Sequence, residues 1–247
     1  MKALGWAIAG MALGWALAAP AAPVARDDAF RAAEAELPRF YPGEWAAADD
    51  VPLYDLNGAV AAYAFIFERG AKRRAAAETP AAFVAKARAD IAAAGEGATG
   101  YEPELRGEDR FATIVVAADD TEPPVLRCHL GLPGHLVREA NALALADRAQ
   151  RGVAWRVRRP LLLGFFDEAF VLEPASGAGE ALVVDLRTQA AVPEREAQAR
   201  AQLRKAAAAP DPERERLCAE AWQPYRAAKA TAVIPLAVPA GAKGGTP

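Results

Sequence analysis

The stretch VPLYDLNGAVAAYAFIFE, residues 51–68, decides the fold of this chain. Within it, two runs rich in apolar, β-branched and aromatic residues flank the pair Asn57-Gly58. Asn-Gly is the pair that most readily supplies the positive φ values needed at both centres of a type I′ turn. The stretch therefore predicts a β-hairpin with that turn.

Related patterns continue on both sides of the hairpin. Asp27 and Asp28 predict the cap of a first helix that Pro38 ends, and Thr79-Pro80 predicts the start of a second helix. The apolar runs at residues 111–118 and 124–130 predict an antiparallel pair of strands, and residues 136–150 predict a third helix. A last group of strands is predicted at residues 155–157, 161–166, 169–172 and 181–186. Antiparallel strands with interposed helices indicate an α+β fold and not a parallel, doubly wound sheet.

The N-terminus has the pattern of a secretory signal peptide. After Met1-Lys2, residues 3–18 contain no charged group, and Ala16 and Ala18 form the A-x-A motif that precedes cleavage. We therefore expect residues 1–18 to be removed, with cleavage after Ala22 as the second choice and an uncleaved anchor as the alternative. The predicted location is periplasmic or extracellular, with no stable membrane insertion after cleavage.

The composition changes along the rest of the chain and predicts three regions. Residues 24–190 are expected to form the α+β globular domain, as one body or as two lobes that divide near residues 131–135. Residues 193–230 are rich in Ala, Glu, Gln and Arg and predict a helical appendage. Residues 232–247 contain several prolines without helical periodicity, which predicts a disordered tail.

The overall composition excludes several classes of function. The chain has 247 residues, 53% hydrophobic and 25% charged, which is typical of globular proteins. A formal charge of −3 gives no field that would attract nucleic acid, so no nucleic-acid partner is expected. Two histidines and two cysteines are too few for most metal centres, and no metal or other cofactor is expected.

The two cysteines, Cys128 and Cys218, are the natural disulfide pair of an exported protein. Two separately buried thiols are the alternative. Cys128 could also be a nucleophile served by His129 or His135, but adjacent residues of a strand point to opposite faces, which separates Cys128 from His129. The GxSxG, HExxH, CxxC and Walker patterns are absent from the chain, so no catalytic residue is predicted.

Arg156 and Arg158 belong to a group of arginines near Trp155 that could bind an anionic polymer. A solvated strand face is the simpler interpretation, so both arginines are weak candidates for a binding site.

Four segments of the chain resemble the N-terminal, propeptide-like region of secreted bacterial cysteine peptidases of the streptopain and C39-like groups. They are PLYDLNGAVAAYAFIF, FATIVVAADDTEPPVLRCHLGLP, RPLLLGFFDEAFVL and ALVVDLRT, at residues 52–67, 111–133, 159–172 and 181–188. The resemblance implies a cystatin-like or PepSY-like module. The peptidase region, with its Gly-Cys nucleophile motif and downstream histidine, has no counterpart here, so the resemblance supplies no catalytic residue.

These observations predict an exported, noncatalytic binding or inhibitory protein. Its partner would be a secreted peptidase or another envelope protein, bound through an exposed strand edge or an aromatic patch that includes Trp45, Tyr54, Tyr63 or Phe65. Two alternatives stay open: an envelope enzyme that uses Cys128 or a pair of carboxylates, and a structural envelope component held by an uncut N-terminus.

Overall fold

A computed structural model describes residues 22–70, 78–93, 102–163, 168–207, 209 and 211–227. The predicted signal peptide, residues 1–18, and the predicted tail, residues 232–247, lie outside these ranges. The helices are α1 (Arg26–Phe40), α2 (Pro80–Ala93), α3 (Glu102–Arg106), α4 (Gly134–Val137), α5 (Glu139–Ala149), α6 (Glu194–Ala207) and α7 (Pro212–Ala227). The strands are β1 (Trp45–Tyr54), β2 (Val60–Arg69), β3 (Phe111–Ala117), β4 (Val125–Leu130), β5 (Trp155–Leu162), β6 (Glu168–Pro174), β7 (Leu182–Asp185) and β8 (Ala190–Pro193).

The eight strands form one mixed sheet in the order β4-β3-β2-β1-β5-β6-β7-β8. We call β4-β3-β2-β1 the first half-sheet and β5-β6-β7-β8 the second, and each is antiparallel throughout. They join where β1 and β5 run parallel, through the single pair Tyr54 and Leu161. The α+β class is therefore confirmed, but the antiparallel pattern is interrupted once. The helices α4 and α5 carry the chain from β4, at the edge of the sheet, to β5 beside β1.

The predicted hairpin is present, but its turn is not type I′. Only Gly58, at φ +89°, has a positive φ in the turn, whereas type I′ would also need one at Asn57. The Asp55 carboxylate accepts hydrogen bonds from the amides of Asn57 (2.9 Å) and Ala59 (2.8 Å). This capping favours a type I turn followed by a left-handed glycine, the common form of a three-residue hairpin loop.

Helices cover both faces of the sheet because neighbouring strand residues point in opposite directions. On β2, Phe65 and Phe67 pack toward α1, whereas Ile66 packs toward α2, α3 and α4. On β6, Phe170 packs toward α5, whereas Val171 packs in the cluster that includes Ala197 of α6. Both half-sheets are thus buried on their two faces.

The helix starts and ends agree only partly with the predictions. The Thr79 hydroxyl accepts from the amide of Ala82 (3.1 Å), which confirms the predicted cap of α2. Helix α1 has no side-chain cap, since Asp27 and Asp28 lie inside its first turn, and it continues past Pro38 to Phe40. The predicted end at Pro38 is wrong because a proline so near the last turn interrupts few helical hydrogen bonds.

The C-terminal helices are confirmed, and α7 packs on the body of the protein. Trp222 has an exposed fraction of 0%, and its Nε1–H donates to the carbonyl of Glu122 (3.0 Å). Tyr225 donates its hydroxyl hydrogen to Glu36 of α1 (2.8 Å). Among the described residues, no helix has the length and apolar character that would let it cross a membrane.

Candidate functional site

A groove of about 430 Å³ lies where the two half-sheets meet. The first half-sheet, the segments that follow β3 and β5, and α7 all contribute to its walls. The lining residues are Ala61, Val115, Asp119, Glu122, Leu126, Arg127, Leu162, Leu163 and Arg214. A concave site with an apolar floor and a few polar groups, placed between two structural units, is the usual setting for ligand binding.

One apolar residue of the groove, Leu126, lies at a β-bulge in β4. Val115 pairs with Arg127 and Val116 pairs with Val125, which leaves Leu126 as the extra residue on β4. A bulge redirects the side chain at the irregular position. Leu126 packs against two core clusters and also lines the groove beside Leu162 of β5.

The rim of the groove carries charges that are already held in place. Arg214 of α7 forms an ion pair with Glu122, and the carbonyl of Glu122 accepts from Trp222. The carboxylate of Asp119 accepts from the amide of Thr121 (3.0 Å) and from its hydroxyl. The loop between β3 and β4 is therefore bound to α7 and also held by its own turn, and it forms one wall of the groove.

The aromatic candidates do not form one exposed patch. Phe65 has an exposed fraction of 1% and lies beneath α1, and Tyr63 stacks on it with ring centroids 5.9 Å apart. Trp45 donates its Nε1–H to the carbonyl of Tyr41 (3.1 Å), under the guanidinium of Arg69. Tyr54 packs with Leu161 at the junction of the half-sheets. The four side chains serve the packing of the sheet.

Strand β2 has no free edge, because it lies between β3 and β1, whereas β1 meets β5 only at its last residue, Tyr54. Beyond the Tyr54 pair, β1 and β5 are not paired with each other. On this part of β1, which β5 does not pair with, the amide of Asp50 already donates to the Asp49 carboxylate (2.9 Å), and Pro52 has no amide hydrogen. Such features protect a strand from the addition of another.

Arg156 and Arg158 lie on the solvent side of β5 and form ion pairs. Arg156 pairs with Glu173 of the neighbouring strand, and Arg158 pairs with Glu194 at the start of α6. Glu194 also accepts from Arg159 (2.9 Å). These arginines neutralise nearby carboxylates, so their placement agrees with a solvated face better than with an anion-binding patch.

Cys128 and the histidines lie on opposite sides of the sheet, as the strand geometry predicts. Cys128 pairs with Ile114 and packs in the cluster of α1, whereas His129 pairs with Thr113 on the other face. Burial lowers the pKa of His129 to about 4 and that of His135 to about 3, and the positive charge of Arg127 contributes to both shifts. Both imidazoles are neutral at neutral pH, and neither is placed to serve the thiol.

The predicted disulfide is wrong, since Cys128 and Cys218 are free thiols in the structure. Each has its own surroundings. The thiol of Cys128 interacts with Tyr41, and burial together with this thiol raises the pKa of Tyr41 to about 12. Cys218 is buried in α7 near Arg214, and burial raises the pKa of its thiol. Among the described residues, no group of three or more His, Cys, Asp or Glu side chains could hold a metal ion.

The groove residues were not predicted from the sequence. Leu126 belongs to a run that reads as an ordinary strand, and Leu162 and Leu163 belong to another. A β-bulge has no reliable local pattern, and the pairing of β1 with β5 joins residues far apart in the chain. The sequence predicted the strands at residues 111–118 and 124–130, but nothing in it indicated that Asp119 and Glu122 between them line a groove.

The comparisons with known proteins supply no relative. A scan of family models, a search of the curated proteins and a search of the solved structures each found no significant match. The resemblance to peptidase propeptides therefore stays a prediction, and the function has to be argued from the groove.

Proposed function

We propose that this chain is an exported, noncatalytic binding protein and that the groove at the junction of the half-sheets is its binding site. The observation that carries the proposal is the apolar floor of Leu126, Leu162 and Val115 beneath a fixed, charged rim. A small apolar cavity with preformed walls suits one or two apolar side chains of an extended segment from another protein.

The charges of the rim favour such a segment over an ionic ligand. Two acidic and two basic side chains line the groove, so its formal charges cancel. Arg214 already pairs with Glu122, and Asp119 caps its own turn. A partner that gains affinity by burying apolar surface needs no free charge here. A secreted peptidase or another envelope protein could supply that segment, as the resemblance to propeptides implies.

The placement of Cys128 supports the noncatalytic assignment. A thiolate nucleophile requires a base or a cation that holds it in the charged form. The thiol of Cys128 instead interacts with Tyr41, a neutral phenol whose pKa is raised to about 12, and such a group supplies neither a base nor a positive charge. His129, the adjacent histidine, lies on the opposite face of the sheet.

A peptide selection tests the proposal. Short random peptides are displayed and selected on the immobilised mature protein, and the dissociation constants of the selected peptides are measured. We expect peptides with apolar side chains. We also expect Leu126→Arg to weaken binding about tenfold or more, because it places a charge on the apolar floor.

The control is Leu203→Arg, since Leu203 is 72% exposed on α6 and does not line the groove. Leu163→Arg is a second groove variant, in case Leu126→Arg lowers the melting temperature. Equal binding by the wild type, both groove variants and the control would reject the groove as the site, and so would a selection that yields no binding peptide.

A further inference from the structure

The first residue that the structure describes, Ala22, is bound by a single aspartate through both of its backbone groups. The amide nitrogen of Ala22 donates to Oδ1 of Asp120 (2.8 Å), and the amide of Asp120 donates to the carbonyl of Ala22 (3.2 Å). The next residues continue this pairing, since Pro23 forms a bridge with Asp119 and Val24 donates to the carbonyl of Ala118 (2.9 Å). Residues 22–24 are therefore held along the segment that follows β3.

The carboxylate that receives the Ala22 nitrogen lies in a protected position. The side chain of Asp120 is only 15% exposed, and Arg226 of α7 binds its other oxygen (3.2 Å). A carboxylate held in this way binds an ammonium group more strongly than a neutral amide, because the hydrogen bond gains a charge on the donor.

The sequence before Ala22 carries a second cleavage motif. Ala19-Pro20-Ala21 satisfies the A-x-A pattern as well as the first set at Ala16 and Ala18 does. Cleavage after Ala21 would turn the nitrogen of Ala22 into the new α-amino terminus. The same nitrogen is the one that already lies 2.8 Å from Asp120.

We propose that the leader is cleaved between Ala21 and Ala22 and that Asp120 binds the ammonium group of the new N-terminus. The inference rests on the proposed export of the chain. The reaction is a peptide hydrolysis by a signal peptidase. Water supplies the hydroxyl that bonds to the Ala21 carbonyl carbon, the C–N bond breaks, and the Ala22 nitrogen takes up protons to become the ammonium group.

The other two cleavage sites use these contacts less well. Cleavage after Ala18 leaves three residues ahead of Ala22, whose nitrogen stays a neutral amide. Cleavage after Ala22 removes both hydrogen bonds between that residue and Asp120. Only the bond after Ala21 keeps the carbonyl contact and adds a charge to the nitrogen contact.

Intact-mass measurement of the exported protein, expressed with its leader, is the first test. The expected mature chain begins at Ala22. A chain that begins at Ala19 or Pro23 overturns the cleavage site while it leaves the export proposal standing. A chain that keeps Met1 overturns export and, with it, cleavage after Ala21.

The second test measures the role of Asp120 without relying on export. Mature chains that begin at Ala22 and at Ala19 are prepared, and both contain every residue that the structure describes. We expect the Ala22 chain to melt about 2–4 °C higher. Asp120→Asn should abolish this difference, and Asp147→Asn, an acidic residue on the distant helix α5, should preserve it. Equal melting temperatures of the two chains, or a difference that persists in Asp120→Asn, would overturn the ammonium site.

Discussion

Each half-sheet follows a helix: α1 precedes the strands β1 to β4, and α5 precedes the strands β5 to β8. The interiors differ. The first half-sheet buries the rings of Phe65, Phe67 and Trp222 on the side of α1. On the second half-sheet, the α5 side is filled mainly by leucine, valine and alanine around the buried ring of Phe170, with Trp155 partly buried against them.

The closing elements differ as well. The first half-sheet is closed by α7, a helix from the far end of the chain, whereas the second is closed by α6, which directly follows β8. The first half is therefore stabilised by aromatic contacts with a distant helix, and the second half mainly by aliphatic contacts with helices that are its neighbours in the chain. The groove lies between the two halves, since its lining includes residues of the first half-sheet and of β5.

The largest expected effect removes the distant aromatic contact. Trp222→Ala should lower the free energy of unfolding by roughly 3–5 kcal/mol, because it removes a fully buried ring. The loss should lie near the upper end of this range, because the substitution also leaves the carbonyl of Glu122 without its hydrogen-bond donor. Leu172→Ala, at an exposed fraction of 0% in the second half-sheet, should cost roughly 2–5 kcal/mol. Urea denaturation measures both. A smaller loss for Trp222→Ala than for Leu172→Ala would contradict the contrast between the halves.

Acid should destabilise the protein through the buried His135 of α4. The pKa of buried His135 is lowered to about 3, against about 6.5 in an unfolded chain. The unfolded state therefore binds more protons below pH 6.5, so stability falls as the pH falls from 6.5 toward 3. At pH 5 the loss from this group should be about 2 kcal/mol.

The variant His135→Leu should reduce this loss. Urea denaturation at pH 7.5 and at pH 5 measures it, with the wild type as reference. If the variant lost as much stability as the wild type between these two pH values, His135 would not be the buried neutral group that the structure describes.

The turn of the first hairpin gives a smaller effect. Gly58→Val should cost about 1 kcal/mol or more, because a β-branched residue is strained at φ +89°. The new Cβ would also lie 3.0 Å from Nη1 of Arg159 in the second half-sheet. Gly177→Val is the matched control, since Gly177 has φ +74° with no atom within 4 Å of a new Cβ. Thermal unfolding should show a larger drop in melting temperature for Gly58→Val than for Gly177→Val. Equal drops would mean that the side chain of Arg159 moves away from the new Cβ with no loss of stability.

The ion pairs of the second half should contribute least. Glu194 accepts from Arg158 and Arg159 and is only 14% exposed, so Glu194→Gln should lower stability by about 1 kcal/mol and less in high salt. Glu196→Gln breaks the exposed pair with Arg200 and should have almost no effect. Urea denaturation at low and high salt distinguishes the two, and a salt-independent result for Glu194→Gln would remove the electrostatic explanation.

The sequence predicted what depends on neighbours in the chain. The hairpin at Asn57-Gly58, the cap at Thr79 and the opposite faces of Cys128 and His129 are local properties, and all three are confirmed. The type I′ turn was wrong because the Asp55 carboxylate binds two amides of the loop, which outweighs the preference of the Asn-Gly pair.

The remaining features depend on contacts between distant residues. No local pattern shows that Tyr54 meets Leu161, so the hairpin could not be placed inside the sheet from sequence. The disulfide between Cys128 and Cys218 was predicted because an exported protein with two cysteines usually pairs them. In the structure both are free thiols, and their side chains pack against different neighbours. The groove could not be predicted for the same reason, because it combines the bulge at Leu126 with a strand from the other half-sheet, far away in the chain.

Hydrogen exchange of the mature protein with a selected peptide tests the central proposal, that the junction of the half-sheets is the binding site. The account predicts added protection on both sides of the junction, at residues 115–127 of the first half-sheet and at residues 161–163 of the second. The Leu126→Arg variant should lose this protection, and Leu203→Arg should keep it. Protection confined to one half-sheet, or located away from both segments, would contradict the proposal.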